Sequence, residues 1–225
     1  MESTLALDKI LANLYTARFS PKDKTLKAEL WNTLVNEFLQ KYIRLNSTVV
    51  DIGGGYCEFL NAVSAKEKHL IDLNPESQLF AQGNIRVHHL DILKANASDF
   101  GVKADYCFVS NFFEHLPDFQ ALLKVLSFIR EILKPGGQLI IIQPNYRFAY
   151  KEYFDFIDHT LPISDRSLKE AVEAVGFKVD VLIPRFLPFS TKSRAASTVA
   201  LKFYLKCPFF WRFFGKQLFM VVRPA

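Results

Sequence analysis

Apolar residues recur along this chain with two different periods, and the change of period divides it. Residues 4–17 carry Leu5, Ile10, Leu11 and Leu14 at helical spacing, and 25–42 carry Leu26, Leu30, Leu34, Phe38 and Tyr42. Pro21 suits a first helical turn, with Ser20 as its N-cap. From residue 48 short β-branched runs alternate with helical segments. Strands are predicted at 48–52, 69–72, 85–90, 105–110 and 138–143. A helix at 165–175, capped by Ser164 and stopped by Gly176, precedes a sixth strand at 177–184, and a seventh is expected at 217–222. Strands and helices in alternation imply an α/β fold: a doubly wound, mostly parallel seven-stranded sheet covered on both faces. One domain is expected, with a helical cap at 1–45, a core at 46–185, a helical insertion at 186–215 before the last strand, and that strand at 216–225.

The first strand runs into Asp51-Ile52-Gly53-Gly54-Gly55-Tyr56-Cys57-Glu58. A buried strand, a glycine turn and a helix start bring backbone N–H groups close to a ligand. A dinucleotide fingerprint requires G-x-G-x-x-G, but its third glycine position is Glu58 here, and a carboxylate there repels a pyrophosphate. Asp51-x-Gly53-x-Gly55 suits a cofactor without phosphate and with a positively charged amino-acid end. Asp72 closes the second strand, where two carboxylate oxygens match two vicinal ribose hydroxyls. Asp51, Asp72, Asp91 and Asn111 all fall at strand ends, the edge where open α/β sheets bind ligands.

The glycine stretch resembles the first motif of class I S-adenosylmethionine (SAM) methyltransferases, D/E-x-G-x-G, with Cys57 where many members carry another glycine. Asn111-Phe112-Phe113-Glu114-His115-Leu116-Pro117 resembles their loop after strand four, and Pro135-Gly136-Gly137 their turn before strand five. The likeness covers roughly residues 48–180. It implies that Asp51, Gly53, Gly54 and Gly55 cradle SAM, that Leu73 flanks the adenine, that Asp91 with Ile92 meets its amino group, and that Asn111 lies near the methionine end. Phe112 would wall the transfer site. His115, whose unperturbed pKa lies near neutrality, is a candidate base. His159 is the first candidate for the base that deprotonates the acceptor, its imidazole oriented by the Asp158 carboxylate, and Tyr146 and Tyr153 sit in an aromatic loop suited to the acceptor. Tyr15, Arg18 and Phe19 lie where the leading helices would cover the cleft.

Composition narrows the setting. Three cysteines (Cys57, Cys107 and Cys207) are far apart with no metal-ligand spacing, so reduced thiols and no metal are expected. No apolar run is long enough to span a bilayer and the start lacks a signal pattern, which points to a cytoplasmic protein. The net charge of +5 is lopsided: no acid follows Asp180, while Arg185, Lys192, Arg194, Lys202, Lys206, Arg212, Lys216 and Arg223 do. Within 194–214, Arg194, Lys202 and Lys206 fall at multiples of four beside Val199, Ala200 and Phe203, followed by Pro208-Phe209-Phe210-Trp211-Arg212-Phe213-Phe214. That pattern suits peripheral contact with the inner face of an anionic membrane, a lid over the acceptor, or a plain extension of the core. Nucleic acid is not expected, because the cations are few and the aromatics too apolar.

The resulting expectation is SAM-dependent methylation of a small-molecule, sugar or lipid-linked acceptor, with oxygen as the receiving atom and S-adenosylhomocysteine as product. The alternatives are a non-catalytic scaffold that binds a membrane or partner through 186–215, and a nicotinamide oxidoreductase, which Glu58 disfavours.

Overall fold

The computed structural model describes residues 21–189 and 197–225. The predicted helix at 4–17, the Ser20 cap, Tyr15, Arg18, Phe19, Lys192 and Arg194 lie outside them. The second predicted helix is helical throughout but changes pitch. α1 (Pro21–Leu34) opens into a π-helical turn (Val35–Leu39) and closes as a 3₁₀ turn (Gln40–Tyr42). The apolar side chains come in adjacent pairs, Leu34-Val35 and Phe38-Leu39, and all four are buried.

From there strands and helices alternate: β1 (Thr48–Ile52), α2 (Glu58–Ala62), β2 (Glu67–Asp72), β3 (Ile85–His89), α3 (Ala97–Phe100), β4 (Ala104–Ser110), α4 (Phe119–Ile132), β5 (Leu133–Pro144), α5 (Tyr146–Ala149), α6 (Asp165–Ala174), β6 (Phe177–Ile183), α7 (Thr198–Lys206), α8 (Pro208–Phe214) and β7 (Gln217–Pro224). The sheet order is β3-β2-β1-β4-β5-β7-β6. The first five strands are parallel, and β7 inserts antiparallel between β5 and β6. The order reverses between β1 and β4, which opens a crevice at their carboxyl ends. Because β7 runs the other way, its first residue, Gln217, stands opposite Pro144 on that same edge.

Side chains alternate across the sheet as its pleat requires. Val50, Ile52, Cys107, Val109, Leu139 and Ile141 enter a core closed by α4 and α6. Val49, Phe108, Ile140, Ile142 and Phe219 enter the opposite one, closed by α1 with its π-helical turn, α2, α7 and α8. α4 shows why it sits where it does: the Asp118 carboxylate accepts the Ala121 N–H at 2.8 Å as an N-cap, and Leu122, Val125, Leu126, Ile129 and Ile132 then form one buried stripe. Ser164 caps α6 in a capping box with Ser167, as its position in the sequence predicts.

One strand start differs by more than two residues. β5 was predicted from residue 138 but begins at Leu133, so the Pro-Gly-Gly turn lies inside the strand as an irregularity rather than before it. Leu133 pairs with Ala104 and the ladder resumes at Gln138 opposite Tyr106. Gly136 takes φ +76°, and a Cβ on Gly137 would stand 3.0–3.1 Å from three carbonyl oxygens, so the detour needs both glycines.

A pair of imidazoles, His69 buried and His88 half-buried, ties β2 to β3. His69 Nδ1 lies 3.0 Å from His88 Nε2, with the Phe100 ring against His88. Burial, then the His88 and Arg86 charges, pushes the His69 imidazole below its ordinary range, and burial with Arg86 does the same to His88. Both are held neutral in the fold while the unfolded chain protonates near pH 6.5, so their stabilisation is complete above that pH and lost as pH falls below it. The urea midpoint should therefore drop between pH 7.5 and 5.5, and His88→Gln should flatten that drop; an unchanged slope in the variant would exclude the pair as its origin.

Candidate active site

The turn after β1 is built from two close approaches. A Cβ on Gly53 (φ +69°) would stand 2.4 Å from Cδ2 of Phe112, and one on Gly54 would stand 2.3 Å from Oδ2 of Asp51. Phe112 thus lies directly on the turn, and Asp51 folds back against it. Gly55 also takes positive φ and donates its N–H to Asp72 Oδ2 at 2.8 Å. The Asn74 N–H reaches Asp72 Oδ1 at 2.8 Å. Both oxygens are held in place, and each keeps a second lone pair for a ribose hydroxyl. Cys57, the helix N-cap, adopts a left-handed conformation (φ 61°), which costs a non-glycine residue about 1–2 kcal/mol. Burial offsets that cost: its Sγ packs within 3.6 Å of the Ser77 carbonyl, and burial, with Asp51, Glu58 and Asp72 adding, pushes the thiol up to about 12. The thiol is therefore protonated and inert.

Three carboxylates surround this turn. Asp51 is 2% exposed; burial first, then Asp72 and Glu58, raise its carboxyl well above the ordinary carboxylate range. Glu58, expected to repel a pyrophosphate, is paired with Lys27 of α1 at 2.9 Å, so the leading helix reaches the cofactor turn. Asp91 accepts the Leu93 N–H at 3.0 Å through Oδ1 and meets Lys94 at 2.8 Å through Oδ2, a turn cap at the end of β3. Ile92 is buried in the core beside it, while Leu73 is exposed at the mouth of the crevice. Asn111, at the end of β4, takes φ 49° and donates its side-chain amide to Ser110 Oγ at 3.0 Å.

On the acceptor side the structure regroups the predicted residues. The Asp158 carboxylate, expected to orient its neighbour His159, faces His115: Oδ2 lies 3.3 Å and the Asp158 carbonyl 3.0 Å from His115 Nδ1. Chain adjacency does not reveal this contact, because a turn closed by the His159 N–H on the Phe156 carbonyl at 3.2 Å brings Asp158 to a residue 43 positions earlier. His159 is buried, stacked on Phe156 at 5.0 Å and edge-on to His115 at 5.1 Å. Tyr153, read as an acceptor contact, is fully buried with its hydroxyl donating to the Leu161 carbonyl at 2.6 Å, so it is a strut behind the site. Tyr146 is half-buried, its ring edge-on to Tyr153 at 5.2 Å.

The sequence does not single out Glu114. Glu114 is 1% exposed, accepts Gln143 Nε2 at 2.8 Å, and places Oε1 3.9 Å from His115 Nε2. Its carbonyl also accepts the Thr160 and Leu161 N–H groups, pinning the acceptor loop to β4. Burial raises its carboxyl despite the opposing pull of His115 and Gln143. The signal in the sequence was an acid set among Phe112, Phe113 and Leu116 with no Lys or Arg nearby. Ligand atoms of Glu114, His115 and His159 lie within 4.8 Å of one another, a donor set that also suits a divalent cation, although no such site was expected.

Residues 23–182 match the family described as Methyltransferase domain. The chain belongs to that family. Its fold is that of a SAM-dependent methyltransferase from Archaeoglobus fulgidus, with 21% identity, a TM-score of 0.65, and coverage of 88% of this chain and 94% of that one. A second such enzyme, from Clostridium acetobutylicum, gives 13% identity and a TM-score of 0.62 over 99% of each chain. A mitomycin 7-O-methyltransferase gives 16% identity and a TM-score of 0.60 over 90% of this chain and 55% of that one. These identities establish a shared fold. A search among curated proteins returns no match.

The residues of this methyltransferase domain fit SAM. The turn offers fixed carboxylates rather than cations, which suits a sulfonium and an ammonium and not a pyrophosphate. Holding Asp51 there is costly, and the cost can be measured. The buried carboxyl is disfavoured as an anion, so its penalty is present above the raised folded pKa and vanishes below the unfolded value near 3.9. Asp51→Asn should therefore stabilise the ligand-free protein by roughly 1–2 kcal/mol at pH 8 in urea unfolding, with the gain disappearing near pH 4. A destabilised variant at pH 8 would show that the carboxylate is not under strain.

Proposed function

We propose that this domain uses SAM to methylate a hydroxyl oxygen on a small-molecule, sugar or lipid-linked acceptor. The observation that carries this reading is the His115–Asp158 pair at the carboxyl edge of β4, in the loop that begins with the ring covering the glycine turn. SAM supplies a methyl group already activated on a sulfonium. The chain contributes alignment, exclusion of water and a base.

Asp158 holds His115 through Nδ1, which leaves Nε2 to take the acceptor proton. The imidazolium then stands between Asp158 and the buried Glu114, two carboxylates that stabilise its charge. Phe112 and the half-buried Tyr146 are the walls between which the acceptor lies. Asp51, Gly53, Gly54, Gly55, Asp72, Leu73, Asn111 and Asp91 with Ile92 hold the cofactor. A neighbour in fold described as an O-methyltransferase is consistent with an oxygen acceptor.

The test is transfer of labelled methyl from SAM into aqueous and organic extracts of the host cell. One extract should accumulate label. His115→Ala should lower the rate about 100-fold or more with S-adenosylhomocysteine affinity unchanged, the scale of a lost general base. Asp158→Asn should lower it less and displace the pH–rate profile. Full turnover in His115→Ala would remove the base assignment, and no transfer into any extract would favour the scaffold.

A further inference from the structure

The helices α7 and α8 are asymmetric. Their inner side is locked to the core: Leu205 and Trp211 are buried, the Trp211 ring meets Phe38 at 5.8 Å and Phe186 at 5.1 Å, and the Tyr204 hydroxyl donates to the Phe186 carbonyl at 2.6 Å. Their outer side carries Val199, Phe203, Phe209, Phe213 and Phe214, between 58% and 75% exposed. These phenylalanines touch chiefly one another and Phe210, with Phe209 5.1 Å from Phe213 and Phe203 5.7 Å from Phe210. A contiguous apolar patch of this kind on a well-anchored element marks a contact surface.

Its place and its charge say with what. Arg185 donates to the Phe213 carbonyl at 2.8 Å and to the Gly215 carbonyl at 2.9 Å while its guanidinium lies 4.7 Å over Phe148 of α5. Lys216 pairs with Glu152. These links join the end of α8 to the acceptor loop, where Tyr150, Phe154 and Ile157 are also exposed, at 56–82%. The end of α8 thus meets the loop beside the proposed acceptor site, and exposed apolar side chains stand on both. No acidic residue occurs from Ser197 to the end of the chain, whereas Arg212 is exposed among the phenylalanines and Lys202 and Lys206 stand at the rim, sharing Glu37 at 3.5 and 3.8 Å. No helix among the described residues is long and apolar enough to cross a membrane.

We propose that α7, α8 and the loop at 150–157 form a peripheral docking face for an anionic phospholipid surface, which presents the acceptor site to a lipid-linked substrate. Phenylalanines enter the boundary between headgroups and acyl chains, and the cations meet the phosphates. The substrate class rests on the methyl-transfer reading; the docking does not.

The test is flotation of the full chain with phosphatidylglycerol–phosphatidylcholine vesicles and with phosphatidylcholine alone. The wild type should float with the anionic vesicles, salt should weaken that, and F209S/F213S should bind at least roughly tenfold less, with S-adenosylhomocysteine affinity unchanged as proof of folding. No flotation of the wild type, or equal flotation of the double variant, overturns the docking face. Concentration-dependent dimers in sedimentation that the double variant abolishes, without vesicle binding, would assign the patch to a second copy and overturn it too. Vesicle binding without label in the lipid extract removes the lipid-linked substrate alone, and label in that extract without flotation leaves methyl transfer standing and removes the docking.

Discussion

A buried carboxyl crowded by two others at the end of β1 is the constraint on which the rest of the site depends. Asp51 sits where almost no water reaches it, with Asp72 and Glu58 nearby raising its carboxyl further. The backbone can bring those groups together only through a turn with no side chain at Gly53 or Gly54. Phe112 then closes over the turn from β4, so the position of the acceptor loop follows from the shape of the cofactor turn. Lys27 and the Asp72 hydrogen bonds balance part of the charge. What remains is a receptor for positive charge, kept at the expense of stability, as functional sites commonly are.

The acceptor side is organised by a second buried acid. Glu114 holds Gln143 through its side chain and Thr160 and Leu161 through its backbone, so one residue joins β4, β5 and the acceptor loop. His115 stands between it and Asp158. The insertion at α7 and α8 extends the same edge outward, tied to it by Arg185 and Lys216. The glycine turn, His115, the loop that carries Asp158 and the end of α8 therefore lie along one rim of one sheet.

The strands were legible because each is a short apolar run bounded by turn residues, and six of the seven begin within two residues of their predicted starts. β5 does not, because Leu133 can pair with Ala104 across the Pro-Gly-Gly detour, which no local pattern announces. The strand-end cluster was legible for a local reason as well: Asp51, Gly53, Gly55 and Asp72 are brought together by backbone geometry within one βαβ unit. The acceptor side was not. Asp158 and His115 meet across distant segments, Tyr153 carries a polar tip that turns inward to a carbonyl, and Glu114 looks like an ordinary motif acid until its burial is seen. No acid follows Asp180 in the chain, but Glu37 of the π-helical turn reaches both Lys202 and Lys206.

The central claim is that the acid-lined turn receives a cationic, phosphate-free cofactor. Calorimetric titration of the folded protein with S-adenosylhomocysteine, and with NADH in parallel, tests it most directly. The account predicts micromolar binding of S-adenosylhomocysteine that Asp72→Ala weakens about 100-fold, a loss of roughly 2.7 kcal/mol, and no binding of NADH. Binding of NADH, or no binding of S-adenosylhomocysteine, would contradict it.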